Sequence, residues 1–241
     1  MKKAMIFAAG LGTRLKPFTD YHPKALAQVN GKTLLERNIQ FLYQAGIREI
    51  VINTHHFADQ VEAAVGSIAM PELTIHLSHE KDGPLETGGG LAYARVFFKD
   101  ETAPFVVMNV DILTNISFPK MMHFHLAHRP LATLAVTTRD SSRKLLFDQQ
   151  MQLAGWQHIN AELFRWAKNE VENTQAFAFS GIHIIDPAIF DMMPLLGKFS
   201  ITDLYLTLAS EHKILGYNHS GDIVLDVGKP ESLEKAALLF A

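Results

Sequence analysis

Cysteine is absent from the 241 residues of the chain. Its absence excludes disulfides and thiolate-bound metal, and it fits a reducing, cytoplasmic setting. A surplus of one charge is missing too: 22 Lys+Arg against 25 Asp+Glu leave a net −3. No global basic surface is on offer to nucleic acid, so any cationic patch must be local. No apolar run approaches the roughly 20 residues that a bilayer-spanning helix needs, so no membrane partner is expected. Lys2, Lys3 and the short apolar run behind them lack a cleavage-like small-residue site, and Arg14 follows soon after. That segment reads as a first strand rather than a signal peptide. There is no His-Glu-x-x-His string, internal repeat or low-complexity linker, and no serine or cysteine stands in a pattern with a paired base.

Prominent instead is the apolar run Ala4 to Ala9, which breaks into Gly10-Leu11-Gly12-Thr13-Arg14 and continues through Pro17, Thr19, Pro23 and Lys24. A buried strand ending in glycines lets backbone N–H groups approach a phosphate. Leu15 stands where a dinucleotide fingerprint needs its third glycine, and no Gly-Lys-Ser/Thr follows, so neither familiar phosphate loop fits. Pro17 and Pro23 stiffen the segment, which lowers the entropic cost of holding Arg14 and Lys24 in place.

Strands and helices alternate over the first 110 residues. Thr33-x-x-Glu36 reads as a capping box, Leu34, Leu35, Ile39 and Leu42 recur at helical spacing, and Gly46 is a stop signal. Ile50-Val51-Ile52 reads as a strand buried on both faces, Ala58–Val65 as a helix, Leu73–Leu77 as a strand, Leu91–Phe98 as a helix and Phe105–Met108 as a strand. This βαβ rhythm predicts a doubly wound, mostly parallel sheet with its ligand at the strand C-terminal ends. Later come a helix over Phe118–His128, a strand over Leu131–Thr138 and two extended pieces from Arg143 to Gly155 that turn near Asp148. A strand over Ala176–Ile185, helices near Pro187–Met193 and Ile201–Glu211, a strand at Ile223–Leu225 and a helix over Glu231–Phe240 complete the reading.

Asp111, in Asn109-Val110-Asp111, and Asp226, in Leu225-Asp226-Val227-Gly228, each follow a strand. Each is either a strand-end turn residue or a ligand-facing carboxylate, and two together at a phosphate site suit Mg²⁺. Pro84 to Gly90 places three glycines before the expected helix. They are either a flexible turn or a backbone left open for a ligand. Of His123, His125 and His128 only the last two share a helix face, which argues against zinc. One of His55 and His56 is a candidate pocket border, with a solvated loop as the alternative. Trp156 and Trp166 read as packing residues.

Together these motifs closely resemble the sugar-1-phosphate nucleotidyltransferases over nearly the full chain. Gly10-x-Gly12-x-Arg14-x-x-Pro17-x-Thr19-x-x-x-Pro23-Lys24 is similar to that family's signature loop. Pro84–Gly90, Phe179–Ile182 and Leu225–Gly228 look most like the short N-acetylmuramate-1-phosphate uridylyltransferases, with heptose- and mannose-1-phosphate guanylyltransferases as neighbours. The resemblance implies the nucleotide-diphospho-sugar transferase fold, an α/β Rossmann-like sheet with a small sugar-side lobe. It implies one catalytic domain, with a nucleotide half over about 1–115, a sugar half over about 116–241 and no C-terminal β-helix, and hence a monomer or dimer.

By the same resemblance, Ala9, Gly10, Leu11, Gly12, Thr13, Arg14, Lys24, Glu86, Thr87, Gly88 and Asn109 would hold the nucleotide. Glu86, Asn109, Ser180 and Gly181 would line the sugar side. Asp111 and Asp226 would bind Mg²⁺, and Arg14, Lys24 and Asp111 would carry catalysis. The implied partners are a nucleoside triphosphate and a sugar-1-phosphate. Three departures stand out: Ala25 for a second proline, Val110 for a glycine, and no second lysine near 140–175, where Arg139, Arg143 or Lys144 could substitute. A non-catalytic nucleotide-sugar sensor is the rival reading, and the retained carboxylates and cations favour an enzyme.

Overall fold

The computed structural model describes residues 2–194 and 197–240. Its architecture follows from strands that are apolar on both faces. In the first strand Ala4 and Ile6 enter one core cluster, while Met5 and Phe7 enter the other. A strand flanked in this way needs helices on both sides of its sheet.

In chain order the principal elements are β1 (Lys3–Phe7), α1 (Leu34–Gln44), β2 (Glu49–Thr54), α2 (Ala58–Gly66), β3 (Thr74–His79) and α3 (Glu86–Tyr93). Next come β4 (Phe105–Asn109), β5 (Ile112–Thr114), α4 (Phe118–His128), β6 (Ala132–Thr137), β7 (Arg143–Phe147), β8 (Leu153–His158) and β9 (Leu163–Trp166). The last are β10 (Gln175–Ile185), α5 (Ile201–Leu208), β11 (Ile214–Asn218), β12 (Val224–Asp226) and α6 (Pro230–Leu239). Helix α1 begins on the expected capping box: Glu36 N–H donates to Thr33 Oγ1 (3.1 Å) and Thr33 N–H to Glu36 Oε2 (2.7 Å). Past its end Gly46 takes φ +91°, as a glycine stop should.

The main sheet runs β3-β2-β1-β4-β10-β6-β11, all parallel except β10. Helices α1, α2 and α4 cover one face, and α3 and α5 cover the other. The chain leaves β1 towards β2 on one side and later returns to β4 on the other. The crevice between the C-terminal ends of β1 and β4 is therefore the topological switch point, where open α/β sheets bind ligands. Strand β10 shifts register between Phe179 and His183, around Gly181 at φ +69°. Its first part pairs with β7, and β7, β8 and β9 continue as an antiparallel lobe.

A third cluster positions the glycine loop. Leu15 packs there with Val29, Leu34, Leu113, Val227 and Ala236. The side chain that rules out a dinucleotide fingerprint is thus the loop's anchor to α6 and to the tail beyond β12.

Several features differ from the sequence reading. The helix expected over Leu91–Phe98 starts earlier, at Glu86, and becomes 3₁₀ over Ala94–Phe98. Gly88, Gly89 and Gly90 therefore lie inside a buried helix instead of a loop before it, because Gly88 and Gly89 pack directly under the 197–199 segment. Strand β11 was not anticipated. Gly216 interrupts its apolar pattern because a Cβ there would meet Met151 Cε at 2.8 Å. Strand β9 was also missed, since Leu163 and Phe164 are largely exposed and show no alternation.

Candidate active site

The loop after β1 folds onto itself through Gly12. That residue is left-handed (φ +63°), and a Cβ on it would lie 2.9 Å from both Lys24 Cβ and Thr19 Cγ2. Thr19 Oγ1 donates to the Gly12 carbonyl at 3.0 Å, as does Leu15 N–H at 2.8 Å. The spacing Gly12…Thr19…Lys24 is thus a packing requirement, and it aims Lys24 across the switch point. There Lys24 Nζ reaches Asp111 Oδ2 at 2.5 Å, with both side chains largely buried. Ala25 is fully buried in the turn that carries Lys24, so a small side chain fits there.

Asp111 stands beyond β4, where Val110 turns inward. Val110 is buried in the core, its N–H donates to the Phe7 carbonyl (3.1 Å), and its own carbonyl accepts from Asn38 Nδ2 (2.7 Å). A side chain in place of glycine is accommodated because it points into the core cluster around Ala8 and Ile112. Strand β12 then aligns Asp226 with Ile112, and Val227 N–H donates to the Asp111 carbonyl at 2.7 Å. The two carboxylate residues, distant in sequence, are thereby set side by side. Arg14 Nη2 approaches Asp226 Oδ2 at 3.6 Å in a more exposed pair. Gly228 makes room for that pair, since a Cβ there would lie 2.6 Å from Arg14 Nη2 and 2.7 Å from Asp226 Oδ1.

In the loop Gly10, Leu11 and Thr13 are exposed and Ala9 is buried; Glu86, at the start of α3, is exposed too. Thr87 Oγ1 accepts from Ile201 N–H at 3.1 Å. The N–H groups of Gly88 and Gly89 donate to the Phe199 carbonyl (2.9 and 3.1 Å), so those donors are engaged within the protein. Asn109, at the end of β4, faces Gly181, where a Cβ would come within 2.6 Å of Asn109 Nδ2. Ser180 is fully buried and its Oγ meets His219 Nε2 at 2.8 Å, so its side chain points inward. Burial lowers the His219 pKa, partly offset by nearby Asp222.

Arg139 Nη2 donates to the Phe179 carbonyl at 3.0 Å. Arg143 and Lys144 line a cavity of about 190 Å³ with Ser141, Trp156, Phe179 and Thr202. Trp156 therefore borders a cavity as well as packing against the core.

The histidines off this cleft are structural. His125 Nδ1 pairs with Thr133 Oγ1 (2.9 Å), and burial pulls its pKa down to about 4. His183, sealed under Phe7 and Phe179 and bonded to Tyr205 Oη (2.7 Å), is pulled down to about 3 by burial. His55 Nδ1 lies 2.7 Å from the Glu80 carbonyl.

Sequence reasoning passed over Asn53 and Glu80, which are buried beside the site. Ala8 N–H donates to Asn53 Oδ1 (2.7 Å), Asn53 Nδ2 to Glu80 Oε1 (2.7 Å) and Leu85 N–H to Glu80 Oε2 (2.8 Å). Burial pushes the Glu80 carboxyl up, while Leu85 N–H, Asn53 and the neighbouring His55 pull it back. A polar residue ending an otherwise apolar buried strand was the available signal for Asn53.

Among the described residues, no group of three or more His, Asp or Glu could hold a metal by itself. The carboxylate residues brought together there are Asp111 and Asp226, and Asp226 Oδ1 is buried and without a hydrogen-bond partner. Two carboxylates suit a hard cation that completes its shell with phosphate oxygens and water.

A doubly wound sheet with a cationic glycine loop and paired carboxylates at its switch point defines an α/β protein of the nucleotide-diphospho-sugar transferase fold. The chain belongs to the nucleotidyl transferase family, whose model matches residues 3–147. It is 32% identical to the N-acetylmuramate alpha-1-phosphate uridylyltransferase of Neisseria meningitidis serogroup B, over 98% of this chain and 97% of that one. It is 28% identical to the mannose-1-phosphate guanylyltransferase catalytic subunit beta of Xenopus tropicalis, covering 95% of this chain but only 62% of that protein's length. Among solved structures, HddC from Yersinia pseudotuberculosis complexed with GMP-PN superposes with a TM-score of 0.78 at 22% identity, covering all of both chains. UTP-bound UGPase from Acinetobacter baumannii gives 0.80 at 17% identity, over 100% of this chain and 93% of that one. At those identities the likeness is one of fold. No described helix is long and apolar enough to cross a membrane.

Proposed function

We propose that this protein transfers a nucleotidyl group from a nucleoside triphosphate to a sugar-1-phosphate, with UTP and N-acetylmuramate-1-phosphate as the preferred pair. The observation that carries the reading is the Lys24–Asp111 contact at the switch point, with Asp226 held beside it. The uridylyl assignment is supported by two relatives, from Neisseria meningitidis and Caulobacter vibrioides. Both align with this chain over more than nine-tenths of their own length, at 32% and 31% identity.

The reaction needs no side-chain nucleophile. An oxygen of the sugar phosphate attacks the α-phosphorus, the new P–O bond forms, and the bond to the bridging oxygen breaks, so pyrophosphate leaves with its electron pair. Two anions must meet, so catalysis is chiefly positioning and charge neutralisation. Lys24 would offset charge at the reacting centre, and the exposed Arg14 would steady the departing pyrophosphate. Glu86, Thr87 and Asn109 would flank the nucleotide and sugar, with Gly181 setting the floor. Arg14, Lys24, Asp111 and Asp226 cancel one another's charge, so a triphosphate would bring uncompensated negative charge with it. Mg²⁺ held by Asp111 and Asp226 would supply that neutralisation. A pair of unit charges at 4 Å gains ~1 kcal/mol in water and ~4 at an effective dielectric of 20, so excluding water from the crevice would amplify each contact.

Pyrophosphate release measured with Mg²⁺ over a grid of nucleoside triphosphates and sugar-1-phosphates tests the assignment. Turnover should be highest with UTP and N-acetylmuramate-1-phosphate. Turnover led by GTP with mannose- or heptose-1-phosphate would replace the substrate pair and keep the chemistry. Folded, nucleotide-binding protein that is silent across the grid would overturn the enzyme reading in favour of a sensor.

A further inference from the structure

The chain Ala8–Asn53–Glu80–Leu85 has a property that its distances alone do not convey: its polarity is fixed from both ends. Ala8 and Leu85 contribute backbone N–H groups, which can only donate. Ala8 directly follows β1 on the way into the glycine loop, and Leu85 immediately precedes Glu86, Thr87 and Gly88. Between these two donors stand one amide and one carboxylate. Asn53 must turn its oxygen to Ala8, which leaves its NH₂ for Glu80. Glu80 then meets a donor at each oxygen, Asn53 Nδ2 at 2.7 Å and Leu85 N–H at 2.8 Å. Only an ionised carboxylate accepts fully at both.

The surroundings hold this arrangement closed. Asn53 is 2% exposed and Glu80 1%. Glu80 N–H donates to the Thr54 carbonyl (2.8 Å), and the Glu80 carbonyl meets His55 Nδ1 (2.7 Å), so its backbone is pinned as well. Helix α3 lies directly against the pair, because a Cβ on Gly90 would sit 2.7 Å from both Asn53 Nδ2 and Glu80 Oε1. The last glycine of the tract thus admits the helix onto a buried charge.

We propose that Asn53 and Glu80 are positioning residues for the nucleotide. Their directed hydrogen-bond chain fixes the Leu85–Gly88 wall relative to the end of β1, so that both sides of the nucleotide site keep one spacing. The proposal rests on the reading that these two segments flank the nucleotide. It assigns neither residue any contact with substrate.

A cycle of near-isosteric variants tests the fixed polarity of the chain. Glu80→Gln leaves one oxygen for two donors. Asn53→Asp sets carboxylate against carboxylate. Combined, they restore one donor and one acceptor at every step: Ala8 N–H to Asp, Gln NH₂ to Asp, and Leu85 N–H to the Gln oxygen. Each single variant should raise the nucleotide KM tenfold or more, with kcat and the sugar-phosphate KM within threefold of native. The double variant should return the nucleotide KM to within threefold of native. A double variant no better than the worse single, or KM rising equally for both substrates, would overturn the proposal. If a single variant is insoluble, native-like melting and nucleotide KM in the double support the chain, and their absence refutes it. Native turnover in the same assay tests the transfer reading separately. If native protein does not turn over, the same cycle is read on UTP affinity by calorimetry, with the same pattern required.

Discussion

Asp111→Asn should lower kcat by ~10²-fold or more while leaving the protein folded, a loss of the size seen when one preorganised electrostatic contact to a transition state is removed. The substitution keeps the shape and one acceptor oxygen for Lys24 Nζ, which lies 2.5 Å from Asp111 Oδ2. What disappears is the charge that would help hold Mg²⁺ beside Asp226. Removing one partner of an enclosed ion pair costs about 3–5 kcal/mol, because the survivor is stranded. Here the amide oxygen still accepts from Lys24 Nζ, so the stability loss should fall below that range. Initial rates at saturating substrates, with a urea titration of the same preparation, separate the two effects. Turnover within threefold of native would remove Asp111 from the chemistry.

Gly181→Ala should be strongly destabilising. Gly181 sits at φ +69°, where β10 leaves one sheet for the other. An alanine there costs about 1–2 kcal/mol in backbone conformation alone. Its Cβ would also lie 2.6 Å from Asn109 Nδ2 and 3.2 Å from Ile112 Cγ1, which adds an overpacking cost of about 1–3 kcal/mol. Together these predict a loss of about 2–5 kcal/mol, or a midpoint lowered by roughly 4–20 °C for a chain of this size. Displacing Asn109 should depress turnover in the protein that remains folded. An unchanged midpoint by calorimetry would mean that the β10 kink tolerates a side chain, and that its glycine is not what sets the floor under Asn109.

Features that depend on local chemistry were legible before any coordinates. The capping box at Thr33 and Glu36, the stop at Gly46 and the doubly buried strand through Ile50–Ile52 follow from residues close in sequence. The switch-point rule then placed Asp111 and the loop carrying Lys24 in one crevice, although 87 residues separate the two. What escaped notice depends on partners distant in sequence. The glycine tract reads as a loop before the helix, either a flexible turn or open backbone, but the Phe199 carbonyl takes two of its N–H groups and the helix extends through it. Asn53 and Glu80 gave no spacing signal, because their partners are set by the register of β1 and β2, which aligns Phe7 with Asn53. Strand β11 was hidden by Gly216, whose missing side chain makes room for Met151 and Phe147.

The most direct test of the account follows the α-phosphorus of UTP, labelled and incubated with Mg²⁺, N-acetylmuramate-1-phosphate and the protein. The account predicts that the label appears in a UDP-sugar, with unlabelled pyrophosphate released in equal amount. Label recovered only as UMP or unchanged UTP, from protein shown to be folded, would contradict transfer to the sugar phosphate.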